Sequence, residues 1–174
     1  MIRRTATLSD LPGLLKLEEY AWKSHLRASS ETITDRITKF SEGQFLIEID
    51  EKICGILYTQ LIPSVDVLKA GSFSKQSMLH NSENRVLQLM AIAIGGSTVG
   101  SIADQLRKQA ISYAKKHSIT FIVAMTRCSE FPLDNNFDSY QEYVHNSRDP
   151  TVFFHRSGNY CATFLFFIQM YMNI

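Results

Sequence analysis

Apolar residues recur along this chain with two periods, one helical and one strand-like. Ile2 to Thr5 reads as a short strand. Leu11, Leu14, Leu15, Leu17, Tyr20, Ala21 and Trp22 then fall at helical spacing, with Ser9 as N-cap and Asp10 and Pro12 in the first turn. Ile33, Ile37 and Phe40 repeat the pattern over Ser30 to Phe40, with Glu31 near the positive end, and Ser41-Glu42-Gly43 ends that helix. Gln44 to Ile49 and Lys52 to Leu61 are strand-like runs around Asp50-Glu51, which predicts a hairpin closed by Pro63. Ser64 to Asn84 turns polar and mixed, an inserted loop with one short helix around Val65 to Ala70.

Arg85 to Ile94 is almost continuously apolar, the signature of a central strand buried on both faces. Gly95-Gly96-Ser97-Thr98-Val99-Gly100-Ser101 follows as a glycine-rich turn, and a helix from about Ile102 to His117 carries Leu106, Ala110, Tyr113 and Ala114 at core spacing. Ile119 to Met125 is a second apolar strand, completing a β-α-β unit whose strands lie parallel or splay apart. Asp134 to Asn146 reads as a helix, and Val152 to Phe154 and Tyr160 to Met172 supply late strand material. The whole is an α/β (α+β) pattern, a mixed central sheet flanked by helices.

Composition narrows the function classes. At 174 residues the chain predicts one domain, without a linker or repeat. With 18 basic against 17 acidic side chains there is no cationic field to hold a phosphate backbone, so nucleic acid is not an expected partner. Cys54, Cys128 and Cys161 are odd in number and lack CxxC spacing, which argues against a disulfide framework or a zinc site. They read as reduced thiols of a cytoplasmic protein, and no metal is expected. The N-terminus has no apolar signal-peptide region, and the apolar run from Cys161 to Ile174 falls short of the ~20 residues that span a bilayer, so no membrane role is expected. That run reads as buried strand or interface.

The glycine-rich turn is the first candidate site. A helix N-terminus offers unpaired N–H groups and about half a positive charge, so an anion binds there if glycine lets the backbone approach. A purely conformational strand-to-helix turn fits the same residues. Neither a Walker A nor a GxGxxG pattern is present, which counts against nucleotide hydrolysis and nicotinamide chemistry.

Taken together, the order of elements resembles the GNAT acyltransferase fold. More narrowly it is similar to the GNAT-like domains of bacterial polyketide synthase loading modules, over Ile2 to about Gly158. The carriers are Arg3 to Leu11, Trp22 with His25 to Ser29, Glu42-Gly43-Gln44, Leu87 to Ile92, Asp104-Gln105-Leu106, Thr126-Arg127-Cys128, and Asp149-Pro150 with Phe154-His155. The resemblance implies a small acyl thioester on a phosphopantetheine arm, of coenzyme A (acetyl-CoA or malonyl-CoA) or of an acyl carrier protein. It also implies decarboxylation of a malonyl-type thioester to a starter acyl group, or transfer of that group to the carrier. Thr126 and His155 become the catalytic pair, Trp22 and Arg127 contact substrate, and Ile92, Ala93, Ile94, Gly100, Ser101, Ile102 and Ala103 hold the arm.

Those residue types suit the chemistry. Loss of CO2 places negative charge on the thioester oxygen, and preorganised donors lower that barrier more than uniform binding does. A Thr hydroxyl and an imidazole are such donors, and His, with an unperturbed pKa near ~6.5, also supplies a proton to the enolate carbon. Each residue has a plainer reading as well. His155 after two phenylalanines fits a packed histidine, Thr126 suits a strand end, Trp22 suits a core, and Arg127 either steers an acidic substrate or caps the strand in solvent. Cys128 has no identifiable base beside it and is given no role.

The chain departs from the resembled pattern twice. Its turn, Thr98-Val99-Gly100-Ser101-Ile102-Ala103, lacks a basic residue and is one residue short, which predicts a weak hold on a diphosphate and favours delivery on a carrier protein. The Tyr160 to Ile174 run matches nothing in the pattern and is expected to be divergent or truncated strand, with an apolar edge. Two other functions stay open: a general GNAT N-acetyltransferase using acetyl-CoA, and a non-catalytic acyl-thioester-binding module.

Overall fold

The alternating periods resolve into one mixed sheet with helices on both faces. The structure, a computed structural model, describes residues 1–69, 79–96, 99–126, 140–146, 152, 161–163 and 168–173. The elements are β1 (Ile2–Thr5), α1 (Leu11–Ala21), α2 (Ser30–Phe40), β2 (Phe45–Ile49), β3 (Lys52–Ile62), β4 (Val86–Ile94), α3 (Val99–Lys116), β5 (Phe121–Thr126), α4 (Tyr140–Asn146), β6 (Cys161–Thr163) and β7 (Ile168–Asn173). The seven strands run β1-β2-β3-β4-β5-β7-β6. Every neighbouring pair is antiparallel except β4 and β5.

Alternation along the strands feeds two large cores and a smaller cluster of Ile62, Val86 and Val123 with Leu68. Phe45, Ile47, Leu57, Leu61, Leu87 and Leu89 pack beneath Ile102, Leu106 and Ala110 of α3. Leu46, Ile56, Tyr58, Met90 and Ala93 face Leu14 and Leu17 of α1 and Ile33 and Ile37 of α2. The close seat of α3 depends on Gly55 of β3, where a Cβ would stand 2.5 Å from Ile102 Cγ2. Asp50 and Glu51 turn the predicted β2–β3 hairpin with φ of 48° and 61°, the left-handed pair that a two-residue hairpin loop needs.

Several boundaries differ from the sequence expectation, each for a physical reason. Ser9 lies inside a 3-10 turn, Leu8–Asp10, and Asp10 occupies the N-cap position of α1, its Oδ2 accepting from the Thr7 N–H at 2.8 Å. Helix α3 begins at Val99 rather than Ile102. Val99 is 49% exposed and its first turn buries nothing until Ile102, so the apolar period starts later than the backbone helix. Strand β5 begins at Phe121, after Thr120 has donated its N–H to Arg85 O at 2.7 Å.

The predicted helix around Val65 is a 3-10 turn, Val65–Lys69. Val152, expected in a strand, is helical and fully buried. The apolar run after Tyr160 enters the sheet, with β7 pairing along β5 from Phe121↔Asn173 to Thr126↔Ile168. Helix α2 matches its prediction, and Ser29 caps it by accepting from Thr32 N–H at 3.2 Å. Among the described residues no helix is long and apolar enough to cross a membrane.

Candidate functional site

The sheet comes apart on one side of β4. Parallel pairing with β5 runs from Val86↔Phe121 to Leu89↔Ala124 and stops, although β4 continues to Ile94 against β3. At the same level the β3–β4 register slips: Tyr58 faces Ala91 and Thr59 faces Leu89, leaving Met90 as a bulge residue. A bulge raises local twist and re-aims the strand, so β4 peels away from β5 beyond Leu89. The β5-facing edge of Met90 to Ile94 has no strand partner among the described residues. An unpaired edge inside a sheet is a template for an extended ligand with amides of its own.

The glycine turn and α3 lie at the open end. Gly95 donates its N–H to Cys54 O at 2.9 Å, and Gly96 turns the chain with φ of 90°, a conformation glycine adopts without strain. Gly100, in the first turn of α3, has open space where a Cβ would stand. The N–H groups of an 18-residue helix therefore start beside the opening with room for an anion. The turn has no basic residue of its own, but Lys16 and Lys52 line a groove of about 610 Å3 that Gly95 and Gly96 border. Asp10, Glu48 and Glu51 line the same groove, so it has no net positive charge.

Trp22 sits on the face of the sheet that α1 and α2 cover. It ends α1, donating its N–H to Glu18 O at 3.0 Å, and packs in the cluster that holds Tyr58, Met90 and Ala91. The segment it leads is pinned at both ends. Arg27 Nε donates to Trp22 O at 2.9 Å and Nη2 to Glu19 O at 3.2 Å, while Ala28 donates its N–H to Glu18 Oε2 at 2.9 Å.

Beneath Trp22 lies a polar trio that sequence reasoning missed. Glu18 is 3% exposed, Tyr58 is fully buried, and the Arg36 guanidinium carbon sits 4.7 Å above the Tyr58 ring. Burial pushes the Glu18 carboxyl up, against the Ala28 N–H and the nearby Arg36 charge. Burial also lowers Arg36, and burial raises the Tyr58 hydroxyl, helped by the Glu18 charge. A signal was present in the sequence: Glu18 falls on the apolar stripe of Leu14, Leu17 and Ala21, and Arg36 on that of Ile33, Ile37 and Phe40.

The predicted residues distribute as follows. Ile92, Ala93 and Ile94 form the end of β4 beyond its last β5 partner, and Gly100, Ser101, Ile102 and Ala103 form the start of α3. Thr126 ends β5 opposite Ile168, two positions past the last β4 partner, Ala124. The opening thus lies between the free edge of β4 and the end of β5, with α3 starting just beyond the end of β4. Arg127 and His155 lie outside the described residues. Among the described residues no group of His, Cys, Asp and Glu gathers that would hold a metal.

No protein-family profile and no curated protein sequence matches the chain. Solved structures do. The loading GNATL domain of CurA from Lyngbya majuscula superposes with a TM-score of 0.89 at 25% identity, covering 99% of this chain and 96% of that one. The GphF GNAT-like decarboxylase, in complex with isobutyryl-CoA, superposes with a TM-score of 0.83 at 22% identity, covering 99% of each. The PaiA N-acetyltransferase from Thermoplasma acidophilum, in complex with coenzyme A, superposes with a TM-score of 0.67 at 12% identity, covering 99% of this chain and 98% of that one.

Proposed function

We propose that this chain, which has the GNAT fold, acts on a short acyl group carried as a thioester on a phosphopantetheine arm, in the formation of a polyketide starter unit. The observation that carries the reading is the opening of the sheet beyond Leu89 and Ala124, which leaves one edge of β4 free beside the start of α3. A pantetheine arm has two amides in an extended chain, and it satisfies such an edge as an added strand would. The likeness to a loading GNATL domain and a GNAT-like decarboxylase favours this substrate class over an amine acceptor.

In the proposed reaction a malonyl-type thioester loses CO2. The bond to the carboxylate carbon breaks, and its electron pair passes to the thioester oxygen as an enolate. Thr126, at the end of β5, and His155 donate to that oxygen, and His155 or a water on it returns a proton to carbon, giving the acyl thioester. Trp22 supplies the apolar wall that keeps water from the departing carboxylate, and Arg127 draws the acidic substrate in. The product then passes to a carrier-protein thiol, or is loaded there from the start. The α3 turn without a basic residue favours an arm tethered through one phosphate on a carrier protein over the diphosphate of coenzyme A.

The test is direct. Malonyl-coenzyme A and malonyl-carrier protein are incubated with the protein, and conversion to the acetyl species is followed by mass. Conversion that disappears in Thr126→Ala and His155→Ala supports the reading. Acetylation of amines from acetyl-coenzyme A, without loss of CO2 from malonyl thioesters, overturns it in favour of a general N-acetyltransferase. Binding of thioesters without turnover leaves a binding module.

A further inference from the structure

Past Leu57, the partner of Phe45 at the start of β2, the outer edge of β3 runs on to Ile62 with no strand beside it among the described residues. Two of its rungs are closed by other means. At Thr59 both backbone groups meet the Gln44 amide, the N–H donating to Oε1 at 3.3 Å and the O accepting from Nε2 at 3.1 Å. At Leu61 the N–H donates to His80 Nδ1 at 3.2 Å, and the O accepts from Asn81 N–H at 3.1 Å and from Asn84 Nδ2 at 3.4 Å. The edge is thus closed once by an amide, which does not titrate, and once by an imidazole, which does.

Nδ1 accepts only while the ring is neutral, with its proton on Nε2. The ring is half-buried and stacks on Phe40 with centroids 4.6 Å apart, in the lining of a cavity of about 410 Å3. Lys39 of α2, Glu42 of the turn after it, Arg85 before β4, and Tyr113 and His117 of α3 line the same cavity. Asp35 holds Lys39 at 2.8 Å, and Arg85 Nη1 donates to the carbonyls of Ser82, Glu83 and Asn84. Cationic groups therefore outnumber the one lining carboxylate, Glu42. Burial, then the Lys39 charge, hold His80 below its ordinary value. A proton on Nδ1 would set one N–H against another.

We propose that His80 is a proton-operated latch on the β3 edge: neutral, it holds the turn over residues 79–84 against Leu61, and protonated, it releases the Leu61 N–H and opens that rung. A bared edge N–H is where a further strand adds. The latch lies at the opposite end of β4 from the β4–β5 opening, so it governs the connection between β3 and β4 rather than the acyl site. The sign follows from the lowered folded value. The latch stabilises fully above the unfolded value of about 6.5 and is lost as pH falls through the folded one. That window lies above the one in which Asp10 titrates.

The experiment is amide hydrogen exchange followed by NMR on the full chain, corrected for the intrinsic effect of pH, at about pH 7.5 and about pH 5. Protection at Leu61 is expected to fall about tenfold on acidification, the effect of losing one hydrogen bond, while protection at Thr59 stays within about twofold. His80→Asn places Oδ1 where Nδ1 stood and does not titrate, so Leu61 keeps its protection at both pH values. His80→Phe keeps a ring on Phe40 without an acceptor, so Leu61 is poorly protected at both. Unchanged protection at Leu61 in the wild type, an equal fall at Thr59, or a fall that persists in His80→Asn overturns the proposal. Should neither variant fold, the comparison of Leu61 with Thr59 in the wild type decides.

Discussion

The Arg4 guanidinium grips the Asp10 carboxylate with two parallel hydrogen bonds, Nη1 to Oδ2 at 2.7 Å and Nη2 to Oδ1 at 2.8 Å, and reaches Glu48 Oε2 as well at 2.7 Å. The pair ties β1 to the start of α1. Hydrogen bonds from Arg4, then the Thr7 N–H, hold the Asp10 carboxyl at about 2, down from 3.8, against the opposing effect of burial. A depressed carboxyl stabilises the fold fully above its unfolded value and ceases to do so as pH falls through the folded one. Urea midpoints are therefore expected to drop between pH 4 and pH 2 in the wild type, and to drop less over that window in Arg4→Met. At pH 7 that variant is expected to lose about 2 kcal/mol, the value of charge-assisted hydrogen bonds.

Gln44 holds three backbone groups with one buried amide. Its Nε2 donates to Phe40 O at 2.8 Å and to Thr59 O at 3.1 Å, and its Oε1 accepts from Thr59 N–H at 3.3 Å. Replacing it by Leu fits the space and strands all three groups. Gln44→Leu is expected to destabilise by about 3 kcal/mol in urea titration. A loss below about 1 kcal/mol would show that water substitutes for the amide.

Gly55 offers a test of how tightly α3 is seated. Besides Ile102 Cγ2, the missing Cβ would meet Leu106 Cδ1 at 3.1 Å. Ile102 is β-branched and stiff, so the helix must shift rather than the side chain. Gly55→Ala is expected to lower stability by about 1–3 kcal/mol, read as a fall in melting temperature.

Gly100 separates folding from binding. It is helical and faces open space, so Gly100→Ala removes backbone freedom without a clash and is expected to raise stability by about 0.5 kcal/mol. The same methyl narrows the approach to the α3 N–H groups. Affinity for coenzyme A, measured by calorimetry, is expected to fall although the protein melts higher. A rise in both would remove the start of α3 from the site.

The elements with strong periodicity and clear punctuation were legible in the sequence: α2 over Ser30 to Phe40, the Asp50-Glu51 hairpin, and the β4-α3-β5 unit. What was less legible depended on tertiary partners. The start of α3 buries no side chain, so its helicity leaves no apolar trace before Ile102. The late apolar run showed no partner until β7 was seen against β5. At the site, the sequence allowed β4 and β5 to splay but could not place the divergence at Leu89, because the Met90 bulge is a property of pairing with β3. Glu18 and Arg36 were hidden among amphipathic helix positions, where a charged residue on the apolar stripe of each helix is noticed only when the two stripes meet at Tyr58.

Strand β5 shares four registered positions with β4 and six with β7, so one wall of the opening is secured mainly by a segment that follows it at a distance, Thr126 and Ile168 being 42 positions apart. Closing so long a loop is slow compared with forming the local β2–β3 hairpin. The β5 wall of the cleft is therefore expected to set late in folding, after the α1–α2 layer and the β2–β3 hairpin, and a chain lacking the β7 pairing would keep both of those while missing the wall that ends in Thr126.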